Sequence, residues 1–413
     1  MKYKPQANYY NGQKVTFKGD FLDVISPLNG EIISQVPLTG SEIVDKAVNS
    51  AKTAFIKWSA IPIKERVQVF YRYKNLLEKN LKELAVLVHE ENGKTLPEAI
   101  AEVEKSIELT EFACSLPQLV QGEILEVSEG VECRSERHPV GVVASISPFN
   151  FPNMVPNWTI PNAITLGNAM ILKPSEQVPI SAMRIAELLT EAGLPDGILN
   201  IVHGDRKSVE AICDHGDIDA VSFVGSTKVA KIVYQRATGN NKRVLTLGGA
   251  KNYLLVLPDA NHEMTSSDVA ASMSGCAGQR CMAAAAVLAV GNVDKIIKGI
   301  CEKAKTIIPG KNLGAIISKE AQTRIENYIS EAEEQGAVVL VDGRGSIVKN
   351  KENGYYVGPT VIDHVTPEMK IAQEEVFGPV LSIIRVDKLE QALEIENNSQ
   401  YGNAAAVYTQ SGG

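Results

Sequence analysis

The stretch GVVASISPFNFPN (residues 141–153) decides the fold, because it changes character halfway along. Its first half, from Gly141 to Ile146, is mostly apolar and β-branched, which is typical of a short buried strand. Its second half holds prolines, aromatic residues and asparagines, and a helical stretch then extends to about residue 168. A buried strand followed by a turn and a helix is the repeating unit of an α/β fold.

The same alternation recurs downstream. Strands are predicted at MILKP, GILNIV, DAVSFVGS and RVLTLGG (170–174, 197–202, 219–226 and 243–249), and helices at 178–192, 207–214 and 227–237. Such alternation, with short Gly-, Pro- and Ser-containing turns, predicts a doubly wound parallel sheet. A second α/β region follows, with strands at 253–260, 285–290 and 337–343, helices at 262–278, 293–307 and 318–335, and a last strand within 401–413.

The chain before residue 141 has a different pattern. Apolar residues recur at helical spacing over 41–60, 63–92 and 95–118, which predicts a layer of helices. Residues 120–138 then alternate at short range, and this indicates a hairpin of two strands.

Length and composition bound the function. A chain of 413 residues predicts two domains with a minor third element. The net charge of −8, without a basic block, argues against binding to nucleic acid or to an anionic membrane. The polar N-terminus predicts no secretion signal, and no apolar run reaches the ~18 residues of a membrane span. The six scattered cysteines favour a cytoplasmic protein without disulfides or structural zinc.

Two of those cysteines, Cys276 and Cys281, lie five residues apart in SGCAGQRCMAAA (274–285). The surrounding small residues would allow another molecule to approach the backbone closely. Arg280 beside Cys281 would favour a reactive thiolate. Equally, both cysteines can be inert packing residues, as most buried cysteines are.

Polar residues follow three of the predicted strands. In SFVGSTKVAKIV (222–233), Gly225, Ser226 and Thr227 lie between a strand and a helix, where free backbone N–H groups suit a pyrophosphate; a plain helix cap by Ser226 or Thr227 is the alternative. Lys173 and Glu176 follow another strand and would hold ribose hydroxyls, unless they form a solvated ion pair. Asn150 would donate to an oxyanion or would cap the next helix.

These motifs together resemble the aldehyde dehydrogenase superfamily. The matching pieces run from about residue 20 to the end: SPFNFP, ILKPSEQVP, VSFVGSTKVA, LGGAKN, GQRCMAAA and EEVFGPV. The resemblance implies an aldehyde dehydrogenase-like fold with an NAD-binding domain at 1–119 and 139–247, a partial β oligomerisation flap at 120–138, and a catalytic α/β domain at 248–413. The family continues several dozen residues further, so the resemblance implies a C-terminally incomplete catalytic domain. Homodimers or homotetramers are typical of the family.

The resemblance also implies roles for single residues. Cys281 is the nucleophile, and Asn150 forms the oxyanion hole with the backbone N–H of Cys281. Cys276, about one and a half helical turns before Cys281, is then most simply a packing residue. The residues implied to bind NAD are Phe149, Lys173, Glu176, Gly225, Ser226, Glu375 and Phe377. No metal is implied.

The chain departs from most of the family before its GG pair. Hydrolytic members carry a glutamate there as base for the deacylating water. In this chain the corresponding residue is Thr246 when it is counted from the glycine pair, and Leu247 when it is counted back from Lys251 and Asn252. A thiol would then discharge the acyl-enzyme better than water. The motifs GAKN and GQRCMA resemble those of the members that transfer the acyl group of malonate or methylmalonate semialdehyde to coenzyme A. Such an acid semialdehyde loses CO2 and leaves acetyl-CoA or propionyl-CoA.

Arg280 matches one carboxylate-binding arginine of those members, and Lys105 takes the place of the second. Lysine keeps the charge but loses the bidentate fork of arginine. Two alternatives remain open: a hydrolytic aldehyde dehydrogenase with another base, and an inactive fragment that only binds a dinucleotide or a partner.

Overall fold

The computed structural model describes residues 1–412, and the chain divides into two compact units. Unit 1 comprises residues 1–25, 32–91 and 99–248, and unit 2 comprises residues 26–31, 92–98 and 249–413. The short segments 26–31 and 92–98 therefore belong with unit 2, although the sequence placed them in the dinucleotide-binding domain. The predicted α/β class is confirmed, since both units are built around a mostly parallel sheet.

The N-terminal part of the chain, up to the predicted hairpin, contains strands and helices. They are β1 (Asn8–Tyr10), β2 (Gln13–Val15), β3 (Phe21–Ile25), β4 (Ile32–Pro37), α1 (Ser41–Ser59), α2 (Ile63–Lys79), α3 (Leu81–Asn92), α4 (Leu96–Leu119), β5 (Glu123–Ser128) and β6 (Val131–Ser135). Strands β1–β4 were not predicted, and the single helix expected over 63–92 is interrupted at Asn80. Strands β5 and β6 form the expected antiparallel hairpin, with all their residues exposed.

The alternating part of unit 1 follows the predicted order. It consists of β7 (Val142–Ile146), α5 (Met154–Thr165), β8 (Ala169–Lys173), α6 (Ile180–Glu191), β9 (Leu199–Ile201), α7 (Arg206–Asp214), β10 (Ala220–Val224), α8 (Thr227–Gly239) and β11 (Arg243–Leu247). The sheet order is β11-β10-β7-β8-β9-β1-β2, in which β7 to β11 are parallel. Every residue of β8 is buried, because helices cover both faces of a doubly wound sheet.

Unit 2 contains the remaining elements. They are β12 (Tyr253–Val256), α9 (His262–Ser274), β13 (Ala286–Val290), α10 (Asp294–Ala304), α11 (Lys319–Glu334), β14 (Val338–Val341), β15 (Thr360–Asp363), α12 (Lys370–Gln373), β16 (Val380–Val386), α13 (Leu389–Asn397) and β17 (Ala405–Tyr408). The helix predicted over 262–278 ends early, at Ser274, and a 3₁₀ turn occupies Gly275–Gly278.

The inner strands of the second sheet, β12, β13, β15 and β16, are buried on both faces, whereas the edge strands β14 and β17 are partly exposed. Its order is β14-β15-β16-β13-β12-β17, and all neighbours except β14 and β15 run parallel. Successive residues of β13 point into different apolar cores: Ala286, Leu288 and Val290 into one, Val287 and Ala289 into the other. This strand therefore reads as a continuous apolar run instead of an alternating one, as a two-sided sheet requires.

Candidate active site

The motifs of unit 1 meet at one edge of its sheet. Strands β10, β7 and β8 are parallel neighbours, with Phe223 opposite Ile146 and Ile146 opposite Lys173. The residues that follow these strands must therefore share the carboxyl edge, where doubly wound sheets bind ligands. Those residues are Phe149, Asn150, Lys173, Glu176, Gly225 and Ser226.

Lys173 is a buried cation at this edge. It is only 4% exposed, and its Nζ lies 2.8 Å from Oε2 of the half-buried Glu176. The alternative of a fully solvated pair does not fit, because the lysine end of the pair is inside the protein. A buried ammonium group with one carboxylate partner keeps further donor capacity for a ligand.

The start of α8 is also available to a ligand. Ser226 occupies the N-cap position, yet its side chain makes no capping hydrogen bond. The alternative of a hydroxyl that caps its own helix is therefore excluded for Ser226, and for Thr227 it stays a prediction. A helix N-terminus carries positive potential and suits a phosphate group.

Asn150 is not a helix cap either. The N-cap of α5 is Asn153, whereas Asn150 lies in the preceding turn and is 7% exposed. The carboxylate of Glu102, on α4, fixes this turn, because its Oε1 accepts the N–H groups of Asn153 and Met154 at 2.8 and 3.0 Å. Sequence reasoning missed Glu102, since nothing local links residue 102 to residue 153.

The end of β11 carries no carboxylate. Thr246 and Leu247 are its last residues, and Leu247 is 41% exposed. Neither a hydroxyl of ordinary acidity nor an aliphatic chain can accept a proton from water at neutral pH.

In unit 2, four of the predicted residues line one small cleft: Arg280, Cys281, Glu375 and Phe377. The backbone carbonyl of Cys281 accepts the side-chain amides of Asn252 and Asn403, each at 2.8 Å. These two amides fix the main chain at the cysteine. They were not predicted, although Asn252 belongs to the GAKN motif.

The thiol of Cys281 is half-buried, and burial raises its pKa. Hydrogen bonds from the backbone N–H groups of Cys281 and Met282 lower that pKa, the charge of Glu375 raises it, and Arg280 has a small lowering effect. Arg280 therefore acts in the predicted direction, towards the thiolate, but desolvation outweighs its positive charge and the pKa of Cys281 stays raised.

The guanidinium of Arg280 lies against Gly275, where an added Cβ would come within 2.4 Å of Nη2. Nη2 donates to the carbonyl of Ser272 at 2.9 Å, and the buried Nε has no partner among the described residues. Arg280 therefore keeps an unused buried donor at the cleft that holds Cys281.

The EEVFGPV motif forms the other wall of the cleft. Burial raises the pKa of Glu375, whose Oε1 accepts the N–H of Ala250 at 3.0 Å. Phe377 adopts a left-handed backbone with φ of 54°. The buried Lys251 donates to the carbonyls of Ile371 and Glu374 at 2.6 and 3.1 Å, and so fixes the end of α12 just before Glu375.

Comparison with known proteins agrees with this architecture. The model of the aldehyde dehydrogenase family matches residues 15–413. The chain belongs to the aldehyde dehydrogenase family.

Several relatives of this aldehyde dehydrogenase carry a more specific description. Malonate-semialdehyde dehydrogenase 1 of Geobacillus kaustophilus is 45% identical over 97% of this chain and 84% of its own length. The malonate-semialdehyde dehydrogenase of Pseudomonas aeruginosa is 42% identical over 97% of this chain and 83% of its own length.

Solved structures superimpose closely on this aldehyde dehydrogenase. The methylmalonate-semialdehyde dehydrogenase of Oceanimonas doudoroffii gives a TM-score of 0.97 at 41% identity, over 99% of this chain and 86% of that one. A structure from Sinorhizobium meliloti, described as a methylmalonate-semialdehyde dehydrogenase complexed with NAD, gives a TM-score of 0.97 at 40% identity, over 100% of this chain and 86% of that one.

Two further predicted residues of this aldehyde dehydrogenase, Lys105 and Cys276, belong to neither set of residues described above. Lys105 lies on α4 in unit 1, is half-exposed and pairs with Glu108 one turn later on the same helix. Cys276 is buried, but it lies in the 3₁₀ turn and not on a helix, so its helical spacing from Cys281 was wrong.

Among residues 1–412, no helix has both the length and the apolar character needed to cross a membrane. Within the same range no group of His, Cys, Asp and Glu side chains is arranged to hold a metal ion.

Proposed function

We propose that this chain is an NAD-dependent, CoA-acylating dehydrogenase of malonate or methylmalonate semialdehyde. One observation carries the proposal: Cys281 lines a cleft with Arg280, Glu375 and Phe377, while β11 ends in Thr246 and Leu247, where hydrolytic members place a glutamate. An acyl-enzyme without that base requires a better nucleophile than water.

The residues at the carboxyl edge of the first sheet fit a dinucleotide. Ser226 has a hydroxyl that its own helix does not use, and Lys173 is a buried cation paired with Glu176. We assign the pyrophosphate to Ser226 and Gly225, and a ribose to Lys173 and Glu176. Bound NAD supplies the acceptor for the hydride that leaves the aldehyde carbon.

Cys281 begins the reaction by losing its proton. Burial makes this loss unfavourable, and the N–H groups of Cys281 and Met282 counteract the burial by donating to the sulfur. The thiolate adds to the aldehyde carbon, and the carbonyl oxygen becomes an anion. Asn150 and the Cys281 N–H stabilise that anion; one such donor is worth about 10²- to 10³-fold in rate.

A thioester on Cys281 remains after oxidation. In a β-carboxylate substrate, the bond to the carboxylate breaks, CO2 leaves, and the electron pair delocalises into the thioester carbonyl before the carbon is protonated. Arg280, which lines the same cleft as Cys281, would hold that carboxylate. CoA, as its thiolate, then attacks the carbonyl, the carbon–sulfur bond to Cys281 breaks, and Cys281 leaves as thiolate.

CoA dependence tests the proposal directly. The protein is mixed with NAD and malonate semialdehyde, with and without CoA, and NADH is followed. We expect a burst of about one equivalent without CoA and steady turnover with CoA. Equal steady rates in both mixtures would contradict the proposal. Cys281→Ala should abolish the burst, whereas Cys133→Ala, at an exposed cysteine of the hairpin, should not.

A hydrolytic enzyme is the second candidate, and one observation favours it. Glu375 lines the same cleft as Cys281 and carries a carboxylate, a group that can act as a general base; burial raises its pKa. Turnover to free acid without CoA, lost in Glu375→Gln, would support this candidate. An inactive fragment predicts NAD binding without any acyl mass on Cys281.

A further inference from the structure

The turn that leads to Cys281 has an unusual backbone. Helix α9 ends at Ser274, and Cys276 and Ala277 then adopt consecutive left-handed conformations, with φ, ψ of 53°, 37° and 54°, 35°. Residues with a Cβ seldom occupy this region, and two in succession are rarer still. Such a turn persists only where its surroundings hold it.

A carboxylate from another helix contacts this turn. Oε1 of Glu98 accepts the backbone N–H of Cys276 at 2.6 Å. The other oxygen, Oε2, accepts the N–H and the hydroxyl of Thr95 at 3.0 and 2.7 Å. Thr95 and Glu98 thus form a capping box at the start of α4, and the same carboxylate fixes the turn before the cysteine. Hydrogen bonds to an ionised acceptor are the stronger kind.

The rest of the turn is also fixed at defined points. The side chain of Gln279 donates to the carbonyl of Ala315 at 3.1 Å and accepts the N–H of Ile317 at 3.0 Å. Gly278 packs so closely on Gly378 that an added Cβ would lie 2.1 Å from its carbonyl oxygen. Glu98, Gln279 and Gly278 thus mark three separate points at which the turn before Cys281 is held.

We propose that Glu98 is a positioning residue for Cys281. By holding the N–H of Cys276, it keeps Cys276 and Ala277 in the left-handed turn and so sets where the Cys281 thiol lies in its cleft. This inference rests on the proposed role of Cys281 as nucleophile. The capping box alone would give Glu98 only a role in the stability of α4, and the two roles can be separated.

Two single variants separate them. Glu98→Ala removes both the capping box and the contact with Cys276, whereas Thr95→Ala weakens the capping box and leaves that contact in place. Glu98→Gln retains one carbonyl oxygen, which can still accept the Cys276 N–H. Ala277→Gly in the Glu98→Ala background lets the turn form without its anchor, because glycine adopts positive φ without steric cost.

The first readout is hydrogen exchange of the peptide spanning 274–283, which needs no substrate. We expect Glu98→Ala to accelerate exchange at the Cys276 amide by at least ~10-fold, and Thr95→Ala to change it by less than ~2-fold. The second readout is the NADH burst with saturating NAD and malonate semialdehyde. Glu98→Ala should slow it by at least ~10-fold.

In the same burst assay, Thr95→Ala and Glu98→Gln should stay within ~3-fold of wild type, and Ala277→Gly should restore much of the loss. Equal effects of Glu98→Ala and Thr95→Ala on both readouts, or no restoration by Ala277→Gly, would overturn the inference. A wild-type protein without any burst would instead contradict the proposed function, and hydrogen exchange alone would then decide whether Glu98 holds the turn.

Discussion

Glu102 offers the sharpest test of how Asn150, which we propose as an oxyanion-hole donor, is held. Its Oε1 accepts the N–H groups of Asn153 and Met154 at 2.8 and 3.0 Å. Glu102 is 3% exposed, and Asn153 is fully buried and also receives the hydroxyl of Ser106 on its side-chain oxygen, at 2.7 Å. Glu102→Ala therefore takes a shared acceptor away from two backbone donors at the start of α5.

The cost to stability follows from those donors. A buried donor without a partner costs about 1–3 kcal/mol, and water entering the new cavity offsets part of that cost. We expect Glu102→Ala to lower the free energy of unfolding by about 3 kcal/mol, measured by urea denaturation. Glu102→Gln keeps a carbonyl oxygen and should cost about 1 kcal/mol.

The cost to the reaction follows from Asn150, which lies three residues before Asn153 in the same turn. A displacement of about 1 Å at a reacting group costs up to ~10²-fold in rate. We expect Glu102→Ala to slow the NADH burst by about 10- to 100-fold at temperatures where the variant is folded, and Glu102→Gln to slow it by less than ~5-fold.

A double-mutant cycle decides whether Glu102 acts through Asn150. The burst rate is compared among wild type, Glu102→Ala, Asn150→Ala and the double variant. Once the side-chain amide of Asn150 is removed, Glu102 can no longer act through it. The double variant should therefore be as slow as Asn150→Ala alone. If the two losses multiply, Glu102 has no specific link to Asn150 and the reasoning is refuted.

Three further predictions concern buried groups and close packing. Burial raises the pKa of Glu91 to about 7, so the contribution of Glu91 to stability is full below about pH 4.5 and is lost as the pH rises through 7. The free energy of unfolding in urea should therefore favour wild type over Glu91→Gln by less at pH 8 than at pH 5. A difference that stays constant over this range would disprove the prediction. Burial lowers the pKa of Lys251 to about 8, so the unfolded chain binds more protons than the folded protein between pH 8 and 10.5. Wild type should therefore gain stability relative to Lys251→Met from pH 7.5 to 9.5. The absence of such a gain would contradict a lowered pKa of Lys251. Gly278→Ala places a Cβ 2.1 Å from the Gly378 oxygen at a residue with a positive φ of 69°, and should lower the melting temperature by several degrees. As a control, the Cβ of Gly402→Ala meets nothing within 4 Å, and this variant should leave the melting temperature unchanged to about 1 °C.

The sequence by itself determined the fold class, the alternating elements from β7 to β13 and the local part of the site, whereas β1–β4, β15 and β16 were not predicted. Strands and helices alternate in a pattern that admits few topologies, so β7 to β13 lie close to their predicted positions. The polar residues after β7, β8 and β10 share an edge because parallel neighbours place their carboxyl ends together. The six motifs that resemble the aldehyde dehydrogenases likewise needed only the order of residues.

Tertiary structure alone decided which groups hold those motifs in place. Glu98 contacts Cys276 across 178 positions, and Glu102 contacts Asn153 across 51, so no local pattern connects them. The early end of α9 at Ser274 and the left-handed turn after it also lie beyond helical periodicity, because the turn depends on contacts with Glu98 and Gly378. The raised pKa of Cys281 has the same origin: a charge at the next residue is visible in the sequence, but desolvation depends on everything that surrounds the thiol.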